Sequence, residues 1–596
     1  MSLWGGEAQE LQGLPEPRYG SDLIVALLRL LGIEYVALNP GATFRGLHDS
    51  LVNYGGGVPG LVLCTHEEIA VAVAHGYARV TRRPMAALVH DVVGLQHASM
   101  AIFNAWCDRE PVLVLGGTGP MDSTRRRPWI DWVHTALVQG NLVRDFVKWD
   151  DQPASPQAAV EALLRAYRLA VTEPKGPVYV CFDVELQEQP LAEPVRLPAD
   201  PAGFGPPRPV RANGQDVEEA ARLLAQARFP VVVADFAGRS PQAPGLIARL
   251  AELLGAPVLD AGGRFNIPNT HPLDLTGAEP EVLEQADVVL ALDVPDLLKV
   301  LGRVDRATRR TQLLVPEGCR IIWVGLNELS VRGWCSDFYL PLPVALSVLA
   351  SPQAFLNDLL DAIQQQPEMR ERQEQRSDRA RELALRHHQL RARWLELARS
   401  SPIEPITPPR LAVEVWEAIR STDWTLACGS LYGWARRIWE WEKPERYGGS
   451  QDPGGGLGFG LGASVGAALA LKGTGRVVVD LQPDGDFLYT PGALWTAAHL
   501  RLPLLVVTVN NRSYFNDERH QEAVARARGR PVEARTVAIS LDDPAPDLAQ
   551  VARGMGVWGE GPVRSTEHLR RALAEALRVV QQGYPALVDV VVEMER

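Results

Sequence analysis

Two apolar runs fix the strongest constraint on this chain. VVVDLQ ends before Pro483-Asp484-Gly485, and LPLLVVTVNN ends in Asn510-Asn511. Between them, Pro491 to Leu500 reads as a helix. Unbroken apolar runs of this length suit strands covered on both faces, as in a parallel sheet. The resulting strand–helix–strand unit places Asp484 and Asn511 at the carboxyl ends of two strands, the edge where ligands collect in open α/β sheets. A carboxylate and an amide oxygen are hard donors suited to magnesium, which commonly reaches a protein through a phosphate group. Asp-Gly and Asn-Asn also suit ordinary turns, so the residues alone leave both readings open.

Two further segments carry chemistry. THEEIAVAVAHGYAR, residues 65–79, follows the strand-like LVLC and reads as a helix in which Ala70, Ala72 and Ala74 permit close packing. Glu67 and Glu68 stand at its start, where carboxylates also simply favour the positive end of a helix. QDPGGGLGFGLGASVGAALALKG, residues 451–473, is a glycine-rich loop running into a small-residue helix. Such a loop allows close backbone approach to a ligand, although a flexible surface loop has the same composition. Upstream, the strand-like TLAC ends at Gly429-Ser430.

Residues 481–515 resemble the thiamine-diphosphate signature of the superfamily of acetolactate synthase, benzaldehyde lyase and benzoylformate and pyruvate decarboxylases. That signature begins Gly-Asp-Gly and ends Asn-Asn. The run from His66 and Glu67 to Gly76-Tyr77-Ala78-Arg79 is similar to a second family signature. The resemblance implies thiamine diphosphate and Mg2+ as cofactors. It assigns the metal to Asp484, Asn511 and the carbonyl of Ser513. Gly429 and Ser430 become diphosphate contacts, with Gly485, Asp486 and Tyr514 in the same cofactor site. Leu457 becomes the apolar prop that bends the cofactor, and the carbonyl of Gly455 the acceptor for its amino group. Glu67 becomes the activating carboxyl group: bonded to the aminopyrimidine ring, it favours the tautomer able to remove the weakly acidic C2 proton. Two departures stand out. Pro483 replaces the family's Gly and removes a backbone donor. Asp486 adds a carboxylate that must point away from the diphosphate or pair.

The expected fold class is α/β: three domains with mostly parallel sheets flanked by helices, two cofactor-binding domains around a Rossmann-like middle domain. The length of 596 residues fits about three or four domains. The expected divisions are 1–190 for the domain with the activating Glu, 205–355 for a central α/β domain, 356–407 for a charged helical linker, and 408–596 for the diphosphate- and metal-binding domain. Strands FPVVVADF, ADVVLALD and RIIWVGLN mark the middle domain, and the helix beginning near Glu368 reads as a solvated arm or connector. A net charge of −12, with no basic tract beyond Arg125–Arg127, disfavours nucleic acid. Cysteines at 64, 107, 181, 319, 335 and 428 lack metal or disulfide spacing, so reduced cytoplasmic packing is expected. No apolar run reaches membrane-spanning length, and MSLWGGEAQ lacks the pattern of a signal peptide.

Substrate chemistry follows from the resemblance. The implied activity is carbon–carbon bond cleavage or carboligation on a 2-oxo acid or acyloin through an enamine. A 2-oxo acid decarboxylase, a 2-hydroxyacyl-coenzyme A lyase and a non-catalytic homologue are the alternatives. Asn39 and Gly41, in NPGATFRGLHD, correspond to the pocket-lining loop, with Asn39 as a hydrogen-bond donor. HDVVGLQH, residues 90–97, replaces the synthases' Ser-Gly-Pro-Gly-Ala-Thr-Asn. It is expected to be a loop bringing His90, Gln96 and His97 towards the cofactor, where neutral imidazoles can shuttle protons. The synthases' Phe-Gln pair falls near His134-Thr135. The segment after Asn511 is expected to form a loop and helix over the cofactor mouth, with Tyr514 and Phe515 as an aromatic wall and Arg512 and Arg519 towards an anionic substrate. WCDREP and STRRRPW, residues 106–111 and 123–129, read as salt-bridged surface groups. In the family the activating Glu and the metal clasp meet across a dimer interface, so a homodimer is the minimum and a homotetramer the expected assembly. The synthases' middle domain carries FAD. Here residues 210–350 lack GxGxxG and offer only Gly262-Gly263-Arg264-Phe265, so FAD stays unassigned.

Overall fold

The computed structural model describes residues 13–127, 133–305, 308, 310–331, 341–448 and 453–594. MSLWGGEAQ, Cys335, the end of STRRRPW and Gln451-Asp452 lie outside them.

Three parallel sheets follow one another along the chain. The first contains β1 (Tyr35–Leu38), β2 (Gly60–Leu63), β3 (Met85–Val89), β4 (Val112–Thr118), β5 (Asp150–Asp151) and β6 (Val178–Asp183), in the order β2-β1-β3-β4-β6-β5. The second contains β7 (Pro230–Ala234), β8 (Val258–Asp260) and β9 (Val288–Leu292). A two-stranded antiparallel ribbon follows, β10 (Gly302–Val304) with β11 (Thr311–Leu313). β12 (Arg320–Gly325) and β13 (Leu346–Leu349) complete the second sheet in the order β13-β12-β9-β7-β8. The third contains β14 (Trp424–Cys428), β15 (Val477–Pro483), β16 (Leu504–Asn510), β17 (Trp558–Val563) and β18 (Ala586–Val591), ordered β14-β15-β16-β18-β17. Helices cover these sheets, and the central strands are buried along their length, which explains their Val/Leu-rich, non-alternating sequences. The chain is an α/β protein with a Rossmann-like middle sheet.

The first and third sheets share one apolar core. Its centre is the contact between helix Glu67–Thr81 and helix Phe459–Ala470. A Cβ on Gly76 would lie 1.9 Å from the Ala463 carbonyl oxygen, and one on Gly466 would lie 2.0 Å from that of Val73. The two helices therefore meet backbone to backbone, and only glycine fits at those positions.

Two expectations are corrected and one is narrowed. Helix Gln373–Ser400, read as a solvated arm or connector, is a connector, with Trp394, Leu395 and Ala398 near its end packed into the core of the third domain. It straps the middle domain: Arg379 donates to the carbonyl of Gly255 at 2.7 Å, His387 Nδ1 lies 2.7 Å from the Asp274 carbonyl oxygen, and Leu383 is buried. Its sparse apolar positions hide this, because much of the attachment is guanidinium to carbonyl. WCDREP is not a surface segment. Asp108, Arg109 and Glu110 are buried where the first and middle sheets meet. Asp108 binds His75 Nε2 at 2.7 Å, Arg79 Nε at 2.8 Å and Arg264 Nη1 at 2.7 Å. Burial pushes the Asp108 carboxyl up, but Arg264, Arg79 and His75 outweigh it and hold it well below the usual range. The glycine pair before Arg264 is part of the same junction: Gly263 N–H donates to Asp235 at 2.7 Å, and Arg264 also reaches Glu110 at 2.6 Å. Finally, HDVVGLQH is not a loop, because helix Val92–Cys107 starts inside it. Leu95, Ala98, Ile102 and Ala105 form its buried face, a helical spacing that extends beyond the histidines.

Candidate active site

At the carboxyl edge of the third sheet, β15 and β16 deliver Asp484 and Asn511 to one cleft of about 230 Å³. Its walls include Ser430, Leu457, Asp484, Gly485, Asp486, Asn511, Ser513 and Tyr514. Asp484 is buried and opens a short helical turn, Asp484–Phe487. One of its oxygens accepts the N–H of Arg512 at 2.6 Å. Burial nevertheless pushes its carboxyl up to about 6, against the N–H groups of Gly485 and Arg512. Asn511 Oδ1 accepts the N–H of Ser513 at 2.8 Å and has a second lone pair. Arg512 between them sits at φ 58°, the left-handed kink that turns the chain around the clasp. Gly485 is held by steric need, since a Cβ there would lie 2.7 Å from the Tyr514 ring.

The glycine-rich loop is held in place. Gly458, at φ 93°, donates its N–H to Asp486, and its carbonyl accepts Thr490 Oγ1 at 2.7 Å. Gln482 Nε2 also donates to Asp486. The extra carboxylate noted in the sequence is thus paired, and it clamps the loop bearing Leu457. Burial outweighs these bonds and leaves the Asp486 carboxyl raised. On the other side, Asn104 Oδ1 accepts the N–H of Gly454 at 2.9 Å, from helix Val92–Cys107 of the first domain. Gly455 is exposed at φ 70°, with open space where a side chain would be. Gly429, at φ 84°, lies behind Ser430 in the adjoining cavity.

The first-domain candidates form a separate group that does not line this cleft. Glu67 is buried at the start of helix Glu67–Thr81, which His66 caps by accepting the N–H of Glu68 at 3.2 Å. Glu67 Oε2 lies 3.1 Å from His97 Nδ1, and the His97 ring stacks on His66 with centroids 4.7 Å apart. Glu67 therefore has imidazole on one side. Burial, with His97 beside it, lowers His66 below its ordinary value. His97 itself is exposed, as is Gln96. His90 is buried at the end of β3, with Nδ1 2.9 Å from Thr43 Oγ1. Asn39 spends one amide N–H on the Cys64 carbonyl at 3.0 Å, tying the ends of β1 and β2. Glu68, whose carboxyl burial and nearby Asp486 push up to about 7, faces the Gly458 loop.

Sequence reasoning passed over the supports of this site. Asp589 on β18 accepts Thr508 Oγ1 at 2.6 Å and Asn510 Nδ2 at 3.0 Å, bracing the strand end that presents Asn511. Tyr432, at φ 56°, places its hydroxyl 3.5 Å from Asn511 Nδ2. Gln482, Thr490 and Asn104 hold the glycine-rich loop and belong to no motif. Only the Asn510-Asn511 pair carried any local signal.

Three family models cover most of the chain: the N-terminal TPP binding domain of thiamine pyrophosphate enzymes at residues 18–141, the central domain at 217–359 and the C-terminal TPP binding domain at 427–590. The chain belongs to the thiamine pyrophosphate enzyme family. It is 26% identical to chloroplastic acetolactate synthase 3 of Brassica napus, over 97% of this chain and 84% of that protein. It is also 26% identical to benzoylformate decarboxylase of Pseudomonas aeruginosa, over 95% and 97%. The solved 4-hydroxybenzoylformate decarboxylase of Rhodococcus jostii RHA1 shares the fold, with a TM-score of 0.75, 22% identity, and coverage of 97% of this chain and 99% of that one. The similarity embraces synthase and decarboxylase alike, so the family and the acetolactate synthase/benzoylformate decarboxylase type are fixed, and the individual reaction is a finer matter. Among the described residues no helix is long and apolar enough to cross a membrane.

Proposed function

We propose that the chain is a thiamine-diphosphate- and Mg2+-dependent carbon–carbon bond lyase/carboligase acting on a 2-oxo acid or acyloin. The observation that carries this is the cleft in which Asp484, Asn511 and Ser513 converge beside Leu457 and Ser430. The donor chemistry fits: a buried carboxylate whose burial is uncompensated, an amide oxygen and a main-chain carbonyl form a hard-oxygen set. Thiamine diphosphate bound there supplies a nucleophilic carbon and a sink for the electrons of a cleaved carbon–carbon bond.

The protein's own groups then have defined tasks. Asp484, Asn511 and the Ser513 carbonyl would hold the metal, with Gly429 and Ser430 as diphosphate contacts and Gly485 in the same cofactor site. Leu457 props the cofactor from a loop that Asp486 and Thr490 keep rigid, and Tyr514 walls one side. Glu67 would share a proton with the aminopyrimidine nitrogen, and the exposed His97, 3.1 Å from it, is the group that would pass that proton to solvent. Because Glu67 does not line the cleft of its own chain, the site is completed by a second copy, and a homodimer is the minimum assembly. The imidazoles next to Glu67 favour a second reading, simple decarboxylation of a 2-oxo acid, in which a proton rather than a second carbonyl is the acceptor.

The test is a panel of aliphatic and aromatic 2-oxo acids and acyloins, incubated with protein, Mg2+ and thiamine diphosphate. Carbon dioxide and chiral product are followed together. Acyloin formation or cleavage supports the lyase/carboligase, and carbon dioxide with aldehyde alone supports the decarboxylase. Absence of cofactor binding by calorimetry would remove both.

A further inference from the structure

A second polar cluster stands behind the Glu67 group and has no task in the scheme above. His90 Nε2 lies 3.2 Å from His134 Nδ1 and 3.3 Å from Asp91 Oδ1, and His134 Nδ1 lies 3.6 Å from that same oxygen. Three donor atoms of metal-binding type thus form a nearly equilateral triangle. A tetrahedral ion with bonds of about 2.0–2.2 Å to nitrogen and oxygen requires its ligands to be about 3.3–3.6 Å apart. The spacing matches without any rearrangement.

The triangle is also braced. Thr43 Oγ1 lies 2.9 Å from His90 Nδ1 and accepts the N–H of Asp91 at 3.1 Å, so one hydroxyl orients two of the three ligands. A His90 that gives its Nδ1 proton to Thr43 turns the Nε2 lone pair towards the other two donors, the arrangement by which outer-shell partners prepare a metal ligand. Thr43 is fully buried and is held in turn by Gln187, which donates to its carbonyl at 2.8 Å. His134 is fixed through its neighbour, since Thr135 Oγ1 accepts the N–H of Gly119 at the end of β4. Gly41 leaves the space for His90, because a Cβ there would lie 2.8 Å from the His90 Cβ and 2.9 Å from its ring.

We infer that His90, Asp91 and His134 form a transition-metal site of the zinc class, separate from the magnesium clasp. Two imidazoles and one carboxylate favour zinc over magnesium, which prefers an all-oxygen octahedron. Three protein ligands leave the fourth position open to water or to a carboxylate or carbonyl oxygen, as in catalytic rather than structural zinc sites. The site adjoins Glu67: a Cβ on Gly94 would lie 3.0 Å from both His90 Cβ and Glu67 Oε1. The inference does not depend on the thiamine reading, since its readout is metal binding.

The full-length protein is stripped with chelator and saturated with Mg2+ and thiamine diphosphate. It is then titrated with Zn2+ for stoichiometry, and with Co2+ for its visible ligand-field absorption. One equivalent per chain is expected, with an intense tetrahedral-type Co2+ band. His134→Ala should abolish the band. Thr43→Val, which leaves all three ligands in place, should weaken Zn2+ binding about 10–100-fold, the usual cost of losing an outer-shell partner. His97→Ala is the control for the neighbouring His66, Glu67 and His97 trio, whose donors also converge, and should leave binding unchanged. Wild type that takes up no zinc overturns the inference. A band that survives His134→Ala, or is lost in His97→Ala, overturns it equally. Circular dichroism and the melting temperature of His134→Ala establish that the variant is folded, and His134→Asn serves in its place if it is not.

Discussion

Glu67→Gln separates the chemical role of this carboxyl group from its structural one. Glu67 is buried, and its one described side-chain hydrogen-bond contact is His97 Nδ1 at 3.1 Å. Glutamine has the same shape and keeps a hydrogen-bonding group there, so only the charge-assisted part of the bond is lost. The difference between a charged and a neutral hydrogen bond is about 1 kcal/mol, and His97 is solvent-exposed, which reduces it further. Folding and Mg2+-dependent cofactor binding should therefore be nearly unchanged. Proton exchange at cofactor C2 should behave otherwise. An amide cannot share a proton with the aminopyrimidine nitrogen as a carboxyl group does, and loss of general acid–base catalysis costs about 10²–10⁴-fold, or roughly 3–5 kcal/mol of barrier. The assay is hydrogen–deuterium exchange at C2 in the reconstituted protein, read by proton NMR after an acid quench, beside a calorimetric titration of the cofactor. Exchange within twofold of wild type would refute the role given to Glu67. Slow exchange with equally weakened cofactor binding would refute the claim that the residue acts chemically rather than structurally.

Asp484→Asn should reduce cofactor affinity in Mg2+ by more than about 100-fold, beyond the usual cost of an outer-shell change. It should also raise the melting temperature of the cofactor-free protein, because burial of the carboxylate is uncompensated there; thermal shift with and without cofactor reads both effects. Gly76→Ala brings a Cβ to 1.9 Å from the Ala463 carbonyl and should destabilise by about 1–3 kcal/mol through overpacking, outweighing a gain in helix propensity of about 1 kcal/mol. A melting temperature at or above wild type would contradict the backbone contact. His75 is fully buried beside Asp108, and burial pushes it down to about 4 from an ordinary 6.5, with Asp108 opposing. Its native state refuses a proton that the unfolded chain takes. Its contribution is therefore present above pH 6.5 and lost as pH falls towards 4. The urea midpoint of wild type should fall more over that range than that of His75→Gln.

The parts of the fold that were legible in the sequence are those with one cause. GRVVVDLQ and LPLLVVTVNN are apolar because both sheet faces are covered, and the motifs at their ends follow from that geometry. HDVVGLQH misled because two causes overlap: β3 ends at Val89, Leu95 and Ala98 already belong to a helix, and the histidines between them carry the chemistry of both. WCDREP misled for another reason. Charge in a sequence is read as surface, but Asp108 is buried by partners at 75, 79 and 264, and no window of sequence contains that cluster. The same holds for the supports of the clasp, where Asp589 braces Asn510 from 79 residues away.

These long-range partners change what the motifs mean. Asp486 looked like a liability beside a diphosphate, yet its carboxylate is committed to Gly458 and Gln482. The clasp and the glycine-rich loop are therefore one mechanical unit, joined through the third residue of the Asp484-Gly485-Asp486 triplet. Asn104 ties that unit to helix Val92–Cys107 through Gly454, and the same helix carries His97 against Glu67. Movement of this helix would shift the loop that holds Leu457 and the imidazole beside Glu67 together. Residues 90–97 therefore open a helix that touches both signatures, Glu67 through His97 and the glycine-rich loop through Asn104.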